Sequence, residues 1–147
     1  MRLDEALRLT VTATEIAAAR DVGLAVAVVD AGGHLVTLHR MDGVPFIAGS
    51  IAWGKAWTAA AWGEASSDQA AKAAALPQFA TAITVTSASR YTPQAGGIPL
   101  RRDGTLIGAI GASGLASGLA SGLASGQTDE QILRQALAGS GLDLRMP

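Results

Sequence analysis

Apolar residues spaced three and four apart open the chain. Leu3, Leu7, Val11 and Thr14 fall on one face of a helix predicted from Leu3 to about Arg20. Asp4 and Glu5 lie in its first turn, where they complement the helix dipole, and Gly23 stands just past its end. The period then changes. LAVAVVD at 24–30 is a continuous apolar run, which reads as a strand covered on both faces. Ala31-Gly32-Gly33 forms a turn into a second strand, His34 to Arg40, antiparallel to the first through that short loop. Met41-Asp42-Gly43 ends this strand, and Pro45 suits the start of a helix.

The segment FIAGSIAWGKAWTAAAWG at 46–63 is apolar almost all round, as in a helix buried on two sides. Ser66 or Ser67 can cap a third helix, which ends near Leu76, before Pro77. Residues 81–89 are rich in Thr, Ile and Val and read as a strand or an irregular stretch. Strands at 98–101 and 105–112 flank Asp103-Gly104, a strong hairpin signal. Gly108 and Gly111 in the second of them predict close approach by another element or a ligand. Thr128 and Gln131 have capping-box spacing and open a last helix that ends near Gly139 or Gly141. This order predicts an α+β fold, a single antiparallel sheet flanked by helices.

One segment falls outside the pattern. GLAS occurs three times in succession at 114–125, followed by Gly126. It reads as a flexible low-complexity insert, or as a helix. The helix needs support from a partner, because each interior glycine costs about 1 kcal/mol relative to alanine.

Composition narrows the picture further. With 147 residues the chain forms one domain, and with 49% hydrophobic but 4% aromatic residues its core is built from Ala, Val, Leu and Ile. A mean hydropathy of +0.31 is high for a small chain and points to apolar surface buried in a homo-oligomer. A net charge of -1 gives no electrostatic reason to bind nucleic acid or an anionic membrane. The absence of cysteine excludes disulfides, thiolate metal sites and cysteine nucleophiles, and fits a cytoplasmic protein. No secretory signal and no membrane-spanning run are expected.

Three stretches carry a resemblance: VVDAGGHLVTLHRMDG at 28–43, IAWGKAWTA at 51–59 and GGIPLRRDGTLIGAIGASG at 96–114. In this order they resemble the GlcG/HbpS family, which includes the C-terminal domain of PduO-type proteins. The matching features are a D-x-G-G turn, an R-M-D-G strand end, a K-A-x-T-A helix, a G-G-x-P segment and a G-A-I-G-x-S-G strand. The resemblance implies a profilin-like sheet with helices on both faces, assembly into dimers or higher oligomers, and haem or a corrinoid as ligand. The chain departs from the family pattern twice. The GLAS repeats stand where family members run almost directly into the last helix. The first helix has no histidine, the residue through which a family member ligates haem.

The candidate chemistry is sparse. The two histidines, His34 and His39, are five apart on one strand and so point to opposite faces, which prevents a shared metal site within one subunit unless a bulge intervenes. His34 lies at the turn and faces solvent. His39 is the better ligand candidate, with a surface or interface residue as the plainer reading. Arg40 and Asp42 share a strand parity and form either an ion pair or part of a site for a carboxylate or propionate. Lys55, inside an apolar helix, must reach an edge, a carboxylate such as Asp42, or an anionic ligand. A buried lysine can also act as a base or a Schiff-base amine. Trp53 and Trp57 share a helix face near Trp62 and suit stacking on a tetrapyrrole or anchoring of a core or interface. Gly96-Gly97 resembles an anion-cradling turn, without the spacing of a phosphate loop.

The leading expectation is an intracellular, oligomeric binding protein for haem or a similar planar anionic ligand. His39, Arg40, Asp42, Lys55, Gly96 and Gly97 form its expected site, with no metal bound directly by the protein. An enzyme acting on a small carboxylated metabolite and a ligand-free accessory protein are the alternatives.

Overall fold

The apolar run at 24–30 is buried from both sides because it becomes an inner strand. The computed structural model describes residues 1–116 and 123–144. Their elements are α1 (Leu3–Ala18), β1 (Val22–Asp30), β2 (Leu35–Arg40), α2 (Ile47–Trp62), α3 (Ser66–Ala75), α4 (Pro77–Thr86), β3 (Gly97–Arg102), β4 (Thr105–Ala116) and α5 (Leu123–Gly139). The strands form one open sheet in the order β2-β1-β4-β3, every neighbouring pair antiparallel. This is the predicted α+β architecture. The β3–β4 turn places Asp103 and Gly104 both at positive φ (49° and 78°), as a two-residue hairpin turn requires.

Alternate residues of β1 serve different layers. Leu24, Val26 and Val28 pack with Leu9 and Ala13 of α1 and with Ile132 and Leu133 of α5. Ala25 and Ala27 pack instead with Ala48 and Ala52 of α2, and Val29 with Ala56 and Ala59. Small residues on this second face let α2 lie directly on the sheet. At Gly111 a Cβ would collide with the carbonyl oxygen of Ala52 and come within 2.6 Å of the amide nitrogen of Ala56. The close approach predicted for the β4 glycines is therefore met by a helix backbone at Gly111, and by the Val29 carbonyl of neighbouring strand β1 at Gly108.

Four expectations need correction. α1 buries Ala6, Leu9, Thr10, Ala13 and Ala17, and leaves Leu3, Leu7 and Val11 at 58%, 41% and 43% exposure. The alanine-rich face wins because it allows closer contact with the sheet. Residues 77–86 form helix α4, which takes in most of the stretch at 81–89 expected to be a strand or irregular. Pro77 occupies its first turn, and the Thr81 and Thr84 hydroxyls each donate 2.9 Å hydrogen bonds to carbonyls one turn back. α3 is preceded by Ala65 with no side-chain cap, and the Ser66 hydroxyl bonds instead to the Gln94 carbonyl at 2.5 Å. α5 starts at Leu123, upstream of Thr128. The ends of the GLAS repeat thus belong to β4 and α5, while residues 117–122, and the choice made for them above, lie outside the described residues.

Candidate functional site

Lys55 projects from the apolar helix α2 and is only 3% exposed. An amine so buried needs partners. Its Nζ donates to the Ala112 carbonyl at 2.9 Å and pairs with Asp129 Oδ2 at 3.1 Å. The site exists because β4 outlasts β3. The last β3 partner is Gly97, opposite Gly111, and beyond it Ala112 N–H donates to the Gly96 carbonyl. Lys55 crosses the sheet at this gap and joins the α2 layer to α5. Gly96, at φ 114°, has no room for a side chain: a Cβ would lie 3.0 Å from Lys55 Nζ and 2.9 Å from the Ala112 oxygen. Burial pushes the Asp129 carboxyl up, outweighing the pull of Lys55 and of the Gly114 amide in the other direction.

The sheet distributes the six predicted site residues over separate places. Lys55, Gly96 and Gly97 do meet, but the lysine's carboxylate is Asp129 and not Asp42. Arg40 stands on edge strand β2, opposite Ala25, with β1 and β4 between it and β3. Its Nη1 donates to the Val44 carbonyl. Asp42 follows in the exposed turn. His39, opposite Val26, faces the α1 layer and is half-buried. Among the described residues no three His, Asp or Glu side chains are grouped as a metal site would need.

A different set of residues does converge. The β1–β2 turn, α2 and the segment before β3 enclose a groove of about 480 Å³ lined by Gly32, Gly33, His34, Leu35, Trp53, Trp57 and Arg90. Trp53 and Trp57 reach it together because they are one helical turn apart. Gly33, at φ 80°, lies against the Trp57 ring, where a Cβ would be 2.7 Å from the nearest indole atom. Trp57 meets Trp62 edge-on at 6.4 Å, and Trp62 meets Tyr91 at 5.2 Å, so the wall is braced by aromatic contacts. The Arg90 guanidinium lies 4.9 Å from the Trp53 ring centre. Trp53 Nε1 is buried with no hydrogen-bond partner among the described residues.

At the mouth of the groove Asp30 organises the turn. Its Oδ1 accepts 2.9 Å bonds from the Gly32 and His34 amides, and both carboxylate oxygens lie 3.2 Å from His34 Nδ1. These bonds outweigh partial burial and hold its carboxyl below the usual range. Sequence reading noted the two tryptophans but not Arg90, which comes from a loop without periodicity. A second hollow, of about 350 Å³, is lined by Ser67, Ala95, Glu130, Gln131 and Arg134, and there Glu130 and Arg134 pair with each other at 2.6 Å.

Fold and groove together define an α+β sheet protein with a tryptophan-walled surface groove. The chain belongs to the HbpS-like family, described as haem-degrading proteins, which matches residues 1–138. Among solved structures it is similar to a doubly substituted HbpS of Streptomyces reticuli, with 30% identity, a TM-score of 0.79, and coverage of 97% of this chain and 88% of that one. It is also similar to the PduOC:heme complex, with 26% identity, a TM-score of 0.77, and coverage of 99% and 96%. The Klebsiella pneumoniae protein ORFY shares the fold at 21% identity and a TM-score of 0.73, with coverage of 95% and 91%. No curated protein matches the chain.

Proposed function

We propose that the chain is a binding protein for haem, or for a similar flat anionic molecule, and that the Trp53–Trp57–Arg90 groove holds it. The convergence of two indoles, a guanidinium and an imidazole on one hollow carries this reading. The indoles offer apolar faces to a macrocycle. Arg90 offers a planar cation to a propionate. Haem, when bound, supplies an iron with axial positions open to a protein ligand. Of the structures above, one is a haem complex, and neither it nor the HbpS structure names a corrinoid. His39, Asp42 and Lys55 are the groups an enzyme acting on a small carboxylated metabolite would use. None of the three lines the groove, which favours binding there.

The test is a titration with ferric haem at micromolar protein, following the Soret band and tryptophan fluorescence. Both signals are expected to saturate together. Trp57→Ala, with its fold checked by circular dichroism, is expected to weaken binding by about tenfold, the equivalent of one aromatic contact. Absence of a saturable Soret change would remove the proposal.

The chain also assembles with copies of itself in this reading. Leu76, just before α4, and Phe79 and Val85 within it are 59%, 57% and 76% exposed, α4 buries none of its own residues, and α1 shows its own apolar stripe. Native mass spectrometry is expected to find multiples of the 14.8 kDa chain, and a pure monomer would refute the assembly. No helix among the described residues is long and apolar enough to cross a membrane.

A further inference from the structure

We infer that His34 is the axial ligand to haem iron, offering Nε2 to the groove while Asp30 holds its ring. This inference rests on the haem reading above. The chain has two histidines to choose from. His39 faces the α1 layer and does not line the groove. His34 lines it, and its side chain is 82% exposed.

The contacts of the turn select one ring nitrogen. Asp30 is itself fixed by the Gly32 and His34 amides, and it approaches His34 at Nδ1 through both oxygens. A proton on Nδ1 is shared with that carboxylate, which leaves the Nε2 lone pair available. Histidines that ligate metals nearly always donate their second N–H to a carboxylate or carbonyl, which fixes the tautomer and makes the ligating nitrogen more basic. Here that arrangement stands ready at the edge of a groove lined with aromatic rings.

The two glycines of the turn serve different partners. A Cβ on Gly32 would lie 2.9 Å from the His34 ring and 3.3 Å from Asp30 Oδ1, so glycine here lets the imidazole fold back onto the carboxylate. Gly33 clears Trp57. A turn needed only to join β1 to β2 would be served by the amide bonds to Asp30. It would have no use for the space kept beside the imidazole.

The test compares ferric haem with iron-free protoporphyrin IX in the wild type and in His34→Ala, His39→Ala and Asp30→Asn. In the wild type the ferrous complex should show an iron–histidine stretch by resonance Raman. His34→Ala should lose that band and bind haem about 10–100-fold more weakly, with a clearly smaller loss for iron-free porphyrin. Added imidazole should restore a nitrogen-ligated spectrum in that variant. Asp30 is a positioning residue, so Asp30→Asn should keep the band but lower its frequency. His39→Ala should change nothing. If His34→Ala keeps the band, or His39→Ala loses it, the ligand assignment is wrong while porphyrin binding stands. If the wild type quenches with neither porphyrin, the groove reading fails and the assignment falls with it.

Discussion

Lys55→Met is expected to destabilise the protein by about 3–5 kcal/mol, because it leaves a buried carboxylate without its counter-charge. Asp129 is 2% exposed, and its other recorded partner is the Gly114 amide. Methionine fills much of the lysine's volume, so the loss reports charge rather than a cavity. The double substitution Lys55→Met with Asp129→Leu should recover most of the stability, since a buried ion pair can often be exchanged for apolar residues with little loss. Urea unfolding of the four species gives the coupling directly. The pH dependence has a fixed sign. Burial already raises the Asp129 carboxyl in the folded state, and loss of Lys55 raises it further. A raised acid favours the folded state below its unfolded value and loses that advantage as pH rises. The deficit of Lys55→Met should therefore be largest at neutral pH and shrink in acid. A deficit under about 1 kcal/mol at neutral pH would mean that the pair is solvated.

Gly111→Ala is expected to cost about 1–3 kcal/mol by overpacking, although one methyl group is added. The new Cβ would meet backbone atoms of Ala52 and Ala56, which cannot turn aside as a side chain can. Helix α2 must move as a body, and it carries Trp53 and Trp57. Haem affinity should therefore fall along with stability. Gly139→Ala, at the end of α5 with only the Thr12 methyl at 4.0 Å, is the control and should be neutral or slightly stabilising. For a chain of this size each kcal/mol moves the melting temperature by about 2–4 °C, so calorimetry separates the two variants. Equal melting temperatures would show that α2 does not lie on Gly111.

Local patterns made the sheet readable in advance. The run at 24–30 announced a two-sided strand, and Asp103-Gly104 announced its hairpin. What escaped depends on partners distant in the chain. Lys55 and Asp129 are 74 residues apart, and no spacing rule joins them. α4 escaped because its threonines, Ile83 and Val85 favour strands in isolation, whereas Pro77 and the threonine back-bonds settle it as a helix. On α1, Leu3, Leu7 and Val11 share their helical period with the smaller face that is in fact buried, so periodicity alone could not choose. The groove was visible only in part. Its two tryptophans stood out, and Asp30, Gly32 and His34 carry the spacing of an aspartate-closed turn. Arg90 gave no signal, because only the path of the chain before β3 brings it over Trp53.

Anomalous diffraction at the iron edge, from crystals grown with haem, locates the ligand without reference to affinity. The groove assignment predicts one iron position per chain, beside His34 and bordered by Trp53 and Trp57. Iron at the β2 end near Arg40 and Asp42, or on the α1 side near His39, would contradict it.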